Sequence, residues 1–452
     1  MNTSFFGELL QTISERGRAL LARDRRADAS ARSESLVELC EDLLSGRGEA
    51  SGVALAREIL AGYAALTTGP RIAFFEALAE RFGTDPARLA QAVAAWQAAP
   101  SDATAAEVHA ASEPRRQELF RRINLAPGGT AALVRMREQL MDVLEHREDL
   151  SSVDNDFVHL FSSWFNRGFL VLRRIDWSTP AIVLEKIIRY EAVHEIHDWE
   201  DLRGRIDPPD RRCYAFFHPA LVDEPLIFVE VALTRDIPAA IAPILAKERE
   251  VAESDKARTA TFYSISNCQR GLTGVSFGNF LIKQVVEEAS REMPKLSTFV
   301  TLSPVTNFAA WLKRERAEER SAALTEADKA VLAALDQPSW WRNEDIAQQI
   351  QDTVMRAAAW YYVRARNARG APIDTVARFH LGNGARLERI NWLADTSDRA
   401  MAQAYGLMVN YLYDLDEIEK NHEVYAESRT VVASGAVQRL LRPPLELVPI
   451  AG

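Results

Sequence analysis

Apolar positions recur at helical spacing through the first third of the chain, then give way to short runs of aromatic and β-branched residues. Phe5, Leu9, Ile13 and Leu20 are spaced as one face of an amphipathic helix. Ser35 and Glu38 form a capping box ahead of the stripe Leu36, Leu39, Cys40 and Leu43, which Gly46 ends. Pro127, Gly128 and Gly129 break the pattern, with Thr130 as the cap of a helix carrying Leu133, Met136, Leu140 and Val143 on one face. Ala-rich segments at 52–65 and 87–99 predict further helices. No chemical motif falls here, so residues 1–167 read as a helical domain whose stripes serve a core or subunit contacts.

The pattern changes near Gly168. FLVLRRI (169–175) has a strand's composition, and Ser178 and Pro180 open a helix, AIVLEKIIRY. CYAFFHP (213–219), EPLIFVEVAL (224–233) and ATFYSIS (260–266) predict strands, the first two as an antiparallel pair. STFVTLSPV (297–305) is another strand, and residues 306–368 read as a helical insertion rich in Trp and Tyr. VARFHLGNGA (376–385), RINWLAD (389–395) and GLMVNYLYDLDEIEKN (406–421) follow. The expectation is an α+β protein with a helical domain at 1–167 and a mixed second domain at 168–452.

Composition narrows the function. A net charge of −10 offers no basic field for nucleic acid. Cys40, Cys213 and Cys268 are scattered and odd in number, which implies no disulfide framework. No apolar run is long enough to span a bilayer. The N-terminus lacks the apolar core of a signal peptide, Glu8 and Glu15 argue against an organellar presequence, and LVPIAG is not a peroxisomal signal. A cytoplasmic protein is expected.

Candidate chemistry is concentrated after residue 190. In NCQRGLTGVSFGNFLIKQVV (267–286) a strand ends at Asn267, Gly271 and Gly274 follow, and a helix begins with Phe277, Phe280, Leu281 and Val285 on its inner face. Such a turn can aim amides at a pyrophosphate, or it can be a plain strand–turn–helix corner. It matches neither the P-loop nor the dinucleotide fingerprint. His194 and His197 in HEIHDW stand at i and i+3, but no third metal ligand is spaced with them, and no HExxH, CxxC pair or GxSxG elbow occurs. Ser303 precedes Pro304 at a strand end, either a turn residue or a group reaching a cleft. His380 lies on an apolar segment before Gly382, Asn383 and Gly384, which predicts a position near a strand end; it is a core histidine or a site residue.

Taken in order, EAVHEIHDW, RRCYAFFHP, EPLIFVEVALT, FYSISNCQRGLTGVSFGNFLIKQVV, TLSPVTNF, FHLGNGARLERINW and MVNYLY resemble the malonyl-CoA decarboxylase family. The resemblance runs through residues 170–415. It implies a helical N-terminal domain used in oligomerisation, a tetramer being favoured, and a catalytic domain similar to the acyl-CoA N-acyltransferase fold. It places the catalytic serine at Ser303 and the catalytic histidine at His380. The malonyl-CoA loop falls on Thr273, Gly274, Val275, Ser276, Phe277, Gly278 and Asn279. Gly271, Asn383 and Tyr413 are supporting candidates, with Asn410 and Tyr411 beside the last. Animal members carry glutamate where this chain has Ser276, so no role of that carboxylate carries over.

Malonyl-CoA contains its own electron sink, the thioester, so its decarboxylation needs no metal or organic cofactor. The protein must hold the leaving carboxylate out of plane, stabilise an enolate and deliver a proton. A hydroxyl, backbone amides and a histidine suit those tasks. An acyl-CoA-dependent acyltransferase and a non-catalytic malonyl-CoA sensor are the competing readings.

Overall fold

The computed structural model describes residues 32–45, 49–275 and 281–441. It divides into two compact units. The first runs to Leu170 and includes His218–Val222 and Gln269–Phe277; the second holds the remainder.

In the first unit the described helices are Arg32–Leu44, Glu49–Ala64, Thr68–Glu80, Pro86–Ala98, Asp102–Ser112, Arg115–Asn124, Gly129–Leu144 and Ser151–Trp164. Their apolar stripes are buried as the spacing predicts: Leu36, Leu39, Cys40 and Leu43 on one helix, Leu133, Met136 and Leu140 on another. Asp85 caps the helix that opens with Pro86, accepting from the amides of Ala87 and Arg88. Phe120 and Phe157 stack with centroids 4.2 Å apart. One buried carboxylate, Asp156, takes hydrogen bonds from Arg116 and Gln117, which satisfies three polar groups inside an apolar core.

Two capping expectations are corrected. The helix of Leu36 is already formed at Arg32, so Ser35 lies inside it and is no cap. Gly46, the expected stop, and Phe5, Leu9, Ile13 and Leu20 lie outside the described residues. The helix expected to open at Thr130 begins at Gly129. Its cap is Gly128 at φ 75, a left-handed conformation cheap only for glycine. The Thr130 hydroxyl donates to Asn124 Oδ1 instead.

The second unit is built on a sheet of order β1-β2-β3-β4-β5-β8-β6, with β7 also paired to β8. The strands are β1 (Val171–Ile175), β2 (Arg211–Phe217), β3 (Pro225–Thr234), β4 (Thr259–Asn267), β5 (Thr298–Thr301), β6 (Ser303–Pro304), β7 (Arg386–Asn391) and β8 (Met408–Leu412). β2 and β3 are antiparallel, as expected from sequence. β3 is buried from Pro225 to Leu233, which explains its near-continuous apolar run. The parallel β4–β5 pairing covers only Thr259–Phe262 against Thr298–Thr301; beyond it β4 runs on to Asn267 paired with β3. This helical region followed by a mixed sheet is the α+β arrangement expected. STFVTLSPV is not one strand: it breaks at Leu302, whose amide turns to Phe262 O, and β6 restarts against β8. Of helices Phe308–Ala317, Glu326–Leu332 and Glu344–Val363, the first and last pack Phe308, Trp311 and Tyr361 together. Cys213 and Cys268 share one apolar cluster in this unit, and all three cysteines are free and buried. Among the described residues no helix is long and apolar enough to cross a membrane.

Gly271 sits in a 3-10 turn, Arg270–Leu272, in the first unit. A Cβ there would lie 2.1 Å from the carbonyl oxygen of Val134. At Gly274 a Cβ would meet nothing within 4 Å, although its φ of +80 disfavours any side chain. Gly271→Ala should therefore destabilise the fold by roughly 1–3 kcal/mol through overpacking, and Gly274→Ala by about 1 kcal/mol through backbone strain alone. Urea denaturation of both variants, compared with wild type, checks the order.

Candidate active site

Strand period puts Thr301, Ser303 and their β8 neighbours in one neighbourhood. Ser303 pairs with Val409, and Pro304 with Met408. Pro304 has no N–H to donate, so the ladder stops and Ser303 stands at its end. Ser303 is 6% exposed and Thr301 is fully buried. Tyr411 N–H donates to Thr301 Oγ1 at 3.1 Å, and Asn410 Nδ2 to Thr301 O at 2.8 Å.

His380 arrives from a helix, Thr375–Gly382. The strand-end expectation for it is thus corrected. The Gly382-Asn383-Gly384 sequence ends a helix here: Asn383 N–H reaches carbonyls of the last turn, and its Nδ2 donates to Phe379 O at 2.8 Å. Gly384 at φ +83 lets the chain turn back where a Cβ would strike Ile418 O.

Ser303 Oγ lies 3.2 Å from His380 Nε2. Tyr413 Oη lies 2.8 Å from His380 Nδ1. Tyr411 stacks on the imidazole with centroids 4.5 Å apart. The structure therefore brings Ser303, His380 and Tyr413 together. Burial pushes the His380 imidazole down to about 3, because no anion repays its desolvation. Burial pushes the Tyr413 phenol well above 10. At neutral pH the constellation is a neutral ring between two hydroxyls.

One carboxylate holds its two halves in register. Asp374, 1% exposed, caps the helix of His380 by accepting from Ala377 N at 2.8 Å. Its other oxygen accepts from Thr306 N at 2.9 Å and Thr306 Oγ1 at 2.8 Å. Thr306 follows Ser303 by three residues, and Tyr361 Oη donates to its carbonyl. Asp374, Thr306 and Thr301 went unmarked in the sequence. An aspartate opening an apolar-periodic run is a legible cap, and Thr301 lies on the face of Ser303 by strand alternation, but a side-chain link across 68 positions has no local signal.

Gly271, Thr273, Gly274 and Val275 belong to the first unit. Arg137 Nη1 holds the carbonyls of Gly271 and Thr273, each at 2.8 Å. The amides of Leu272, Thr273 and Val275 donate within the turn. Among the described residues, Gly274 N–H has no acceptor. Ser276, Phe277, Gly278 and Asn279 lie outside the described residues.

Comparison with known proteins places the chain in a family. Residues 168–449 match the family model for the malonyl-CoA decarboxylase C-terminal domain, and residues 82–165 match that for its N-terminal domain. The chain belongs to the malonyl-CoA decarboxylase family. It is 35% identical over 416 residues to the mitochondrial malonyl-CoA decarboxylase of Anser anser anser, covering 84% of this chain and 82% of that one. Against the mouse (Mus musculus) enzyme of the same description identity is 35%, with 80% of each chain covered. The crystal structure of malonyl-CoA decarboxylase from Rhodopseudomonas palustris superposes with a TM-score of 0.87 at 59% identity, covering 90% of this chain and 99% of that one. That from Agrobacterium vitis gives 0.86 at 55%, with 90% and 99% covered.

HEIHDW is not helical until Trp199. His194 is mostly buried beside Tyr263 and held down to about 4 by burial and by Arg205. His197 is exposed. A cavity of about 500 Å³ is lined by Glu195, His197, Asp201, Arg203, Lys247 and Arg249 among others, and neither Ser303 nor His380 lines it. Within it Lys247 pairs with Asp201 at 2.9 Å.

Two expectations follow. Asp374→Ala leaves buried donors unmet and should cost roughly 2–4 kcal/mol in a denaturant titration, with Thr306→Val costing less. The second is a pH effect. The folded His380 takes its proton at about 3, the unfolded one at its ordinary 6.5. Between those values the unfolded chain binds more protons, so stability falls as pH drops from 6.5 toward 3. His380→Asn should flatten that slope, while wild type and variant should run parallel above pH 7 in urea titrations.

Proposed function

We propose that the chain decarboxylates malonyl-CoA to acetyl-CoA and carbon dioxide, with Ser303 and His380 as its catalytic residues. The carrying observation is the buried Ser303–His380 pair with Tyr413 behind it. Loss of carbon dioxide breaks the bond between the carboxylate and the methylene carbon, and its electrons enter the thioester as an enolate. No metal or organic cofactor is needed for that step. A neutral, buried pair suits it. A cation clamped on the carboxylate would favour the bound substrate over the charge-dispersed transition state. Hydroxyl and N–H donors can follow the charge as it moves from carboxylate to enolate.

Ser303 orients the carboxylate, and His380 supplies the proton that makes the new C–H bond, directly or through Ser303. An enolate carbon is basic enough to take a proton from a neutral donor. Tyr413 holds the imidazole. Thr273, Gly274 and Val275, with Ser276, Phe277, Gly278 and Asn279, are assigned to malonyl-CoA binding on the family resemblance, and Gly274 N–H is the described amide free to contribute. Gly271 serves packing in this reading, and Asn383 ends the helix of His380. We further assign subunit assembly, as a homotetramer, to the helical region 1–167, where Trp96 and Leu125 are exposed. A cytoplasmic location is proposed on the three buried free thiols.

The test is acetyl-CoA formation from malonyl-CoA, followed by mass, with no acyl acceptor and with a chelator present. An acyltransferase needs an acceptor and a sensor gives no product, so either result would sink the assignment. His380→Asn should lower kcat by roughly 10²–10⁴-fold with CoA still bound. Ser303→Ala should lower kcat too, and both variants should melt within a few degrees of wild type.

A further inference from the structure

Ser303 Oγ and His380 Nε2 face each other at 3.2 Å, and their other partners decide which of them holds the proton between them. Ser303 Oγ donates to Thr301 Oγ1 at 2.9 Å. A serine hydroxyl has one proton, so toward His380 it presents a lone pair. Nε2 must then carry hydrogen. A neutral imidazole has one N–H, which leaves Nδ1 bare to accept from Tyr413 O–H at 2.8 Å. The hydrogen bonds run one way, from Tyr413 to His380 to Ser303 to Thr301.

Thr301 ends that chain, its oxygen accepting the Ser303 proton in this geometry. Its Oγ1 accepts from Tyr411 N–H at 3.1 Å, and a backbone amide can only donate. The Thr301 backbone is pinned at the same place by Asn410 Nδ2 on its carbonyl. Thr301 is fully buried, so water does not compete for the hydroxyl.

We propose that Thr301 is a positioning residue: its hydroxyl oxygen, held by Tyr411 N–H, orients Ser303 so that the transferable proton rests on His380 Nε2, beside Ser303, and not on Nδ1, beside Tyr413. This rests on the reading of Ser303 and His380 as the proton-delivering pair. Run the other way, the same groups would make His380 a base toward Ser303, the arrangement of a serine nucleophile. Thr301 thus sets the pair as an acid. In the proton-delivery step the Ser303 hydroxyl turns from Thr301 Oγ1 to the enolate carbon, which takes its proton, forming C–H as O–H breaks. Ser303 Oγ takes the Nε2 proton in turn. The negative charge that left the carbon ends on His380 until a solvent proton restores it, which balances the one proton that decarboxylation consumes.

The test compares Thr301→Val, which keeps shape and removes the hydroxyl, with Thr301→Ser, which keeps it. Imidazole ¹⁵N resonances of His380, identified by their loss in His380→Asn, report the tautomer. Wild type and Thr301→Ser should show Nε2–H. Thr301→Val should populate Nδ1–H, and its kcat should fall by at least about tenfold, part of the roughly 10²–10⁴-fold that general acid catalysis supplies, with KM for malonyl-CoA within about 2-fold. Wild-type kcat in Thr301→Val, or a fall in kcat with Nε2–H unchanged, would overturn the proposal. A wild-type His380 observed as Nδ1–H overturns it without any variant, even if Thr301→Val fails to fold. Full activity in Ser303→Ala and His380→Asn would instead remove the reading beneath it.

Discussion

Strand β8 is the element on which the site depends. It pairs with β5 and β6 on one side and with β7 on the other. Through Val409 it fixes the backbone of Ser303 and through Tyr411 N–H the hydroxyl of Thr301, and just past its end Tyr413 N–H holds the carbonyl of Phe299. The side chains of Tyr411 and Tyr413 then hold the imidazole by its face and by Nδ1. The hydroxyls and the ring are therefore located by backbone ladders, which bend less than loops do. Because β5 breaks at Leu302 and β6 begins at Ser303, the serine sits where a ladder has just been interrupted and side chains have room.

Charge is kept away from this place. The groups that meet at His380 are neutral, and the nearby carboxylate of Asp374 is engaged by Thr306 and Ala377. In a buried surrounding a hydrogen-bond donor acts on a nearby charge more strongly than it would in water. The same burial that keeps the ring neutral makes each hydrogen-bond direction matter, since no solvent is at hand to supply a missing partner.

The β3–β4 pair also carries a second polar cluster with a different character. Arg205 bonds Glu230 at 2.7 Å, and burial pushes the Glu230 carboxyl up to about 7. Glu191 accepts from Ser264 and Ser266. These are one ion pair and a set of hydroxyl–carboxylate hydrogen bonds between strands and the segments that cover them. They tie Glu191 and the helix Trp199–Ile206 to the sheet, a structural use of charge that the Ser303 site avoids.

By itself the sequence determined the classes of element: helices where apolar residues recur every three or four positions, strands where β-branched and aromatic residues cluster, and the ordered blocks from EAVHEIHDW to MVNYLY that mark the family. Periodicity and family blocks are properties of neighbouring residues, so a linear reading reaches them. It reached Ser303, His380 and Tyr413 through those blocks. It misjudged His380 as near a strand end, because a Gly-Asn-Gly run closes a helix as readily as it turns a strand, and it misplaced the caps at Ser35 and Thr130 for the same local ambiguity. Only the tertiary structure decided that Asp374 joins Thr306 to the helix of His380, that Gly271 is glycine to admit Val134 O, and that Thr301 faces both Ser303 and Tyr411. Each of these is a distance between residues remote in sequence. No spacing rule encodes such distances, because sheet pairing and helix docking set them only once the chain has closed on itself.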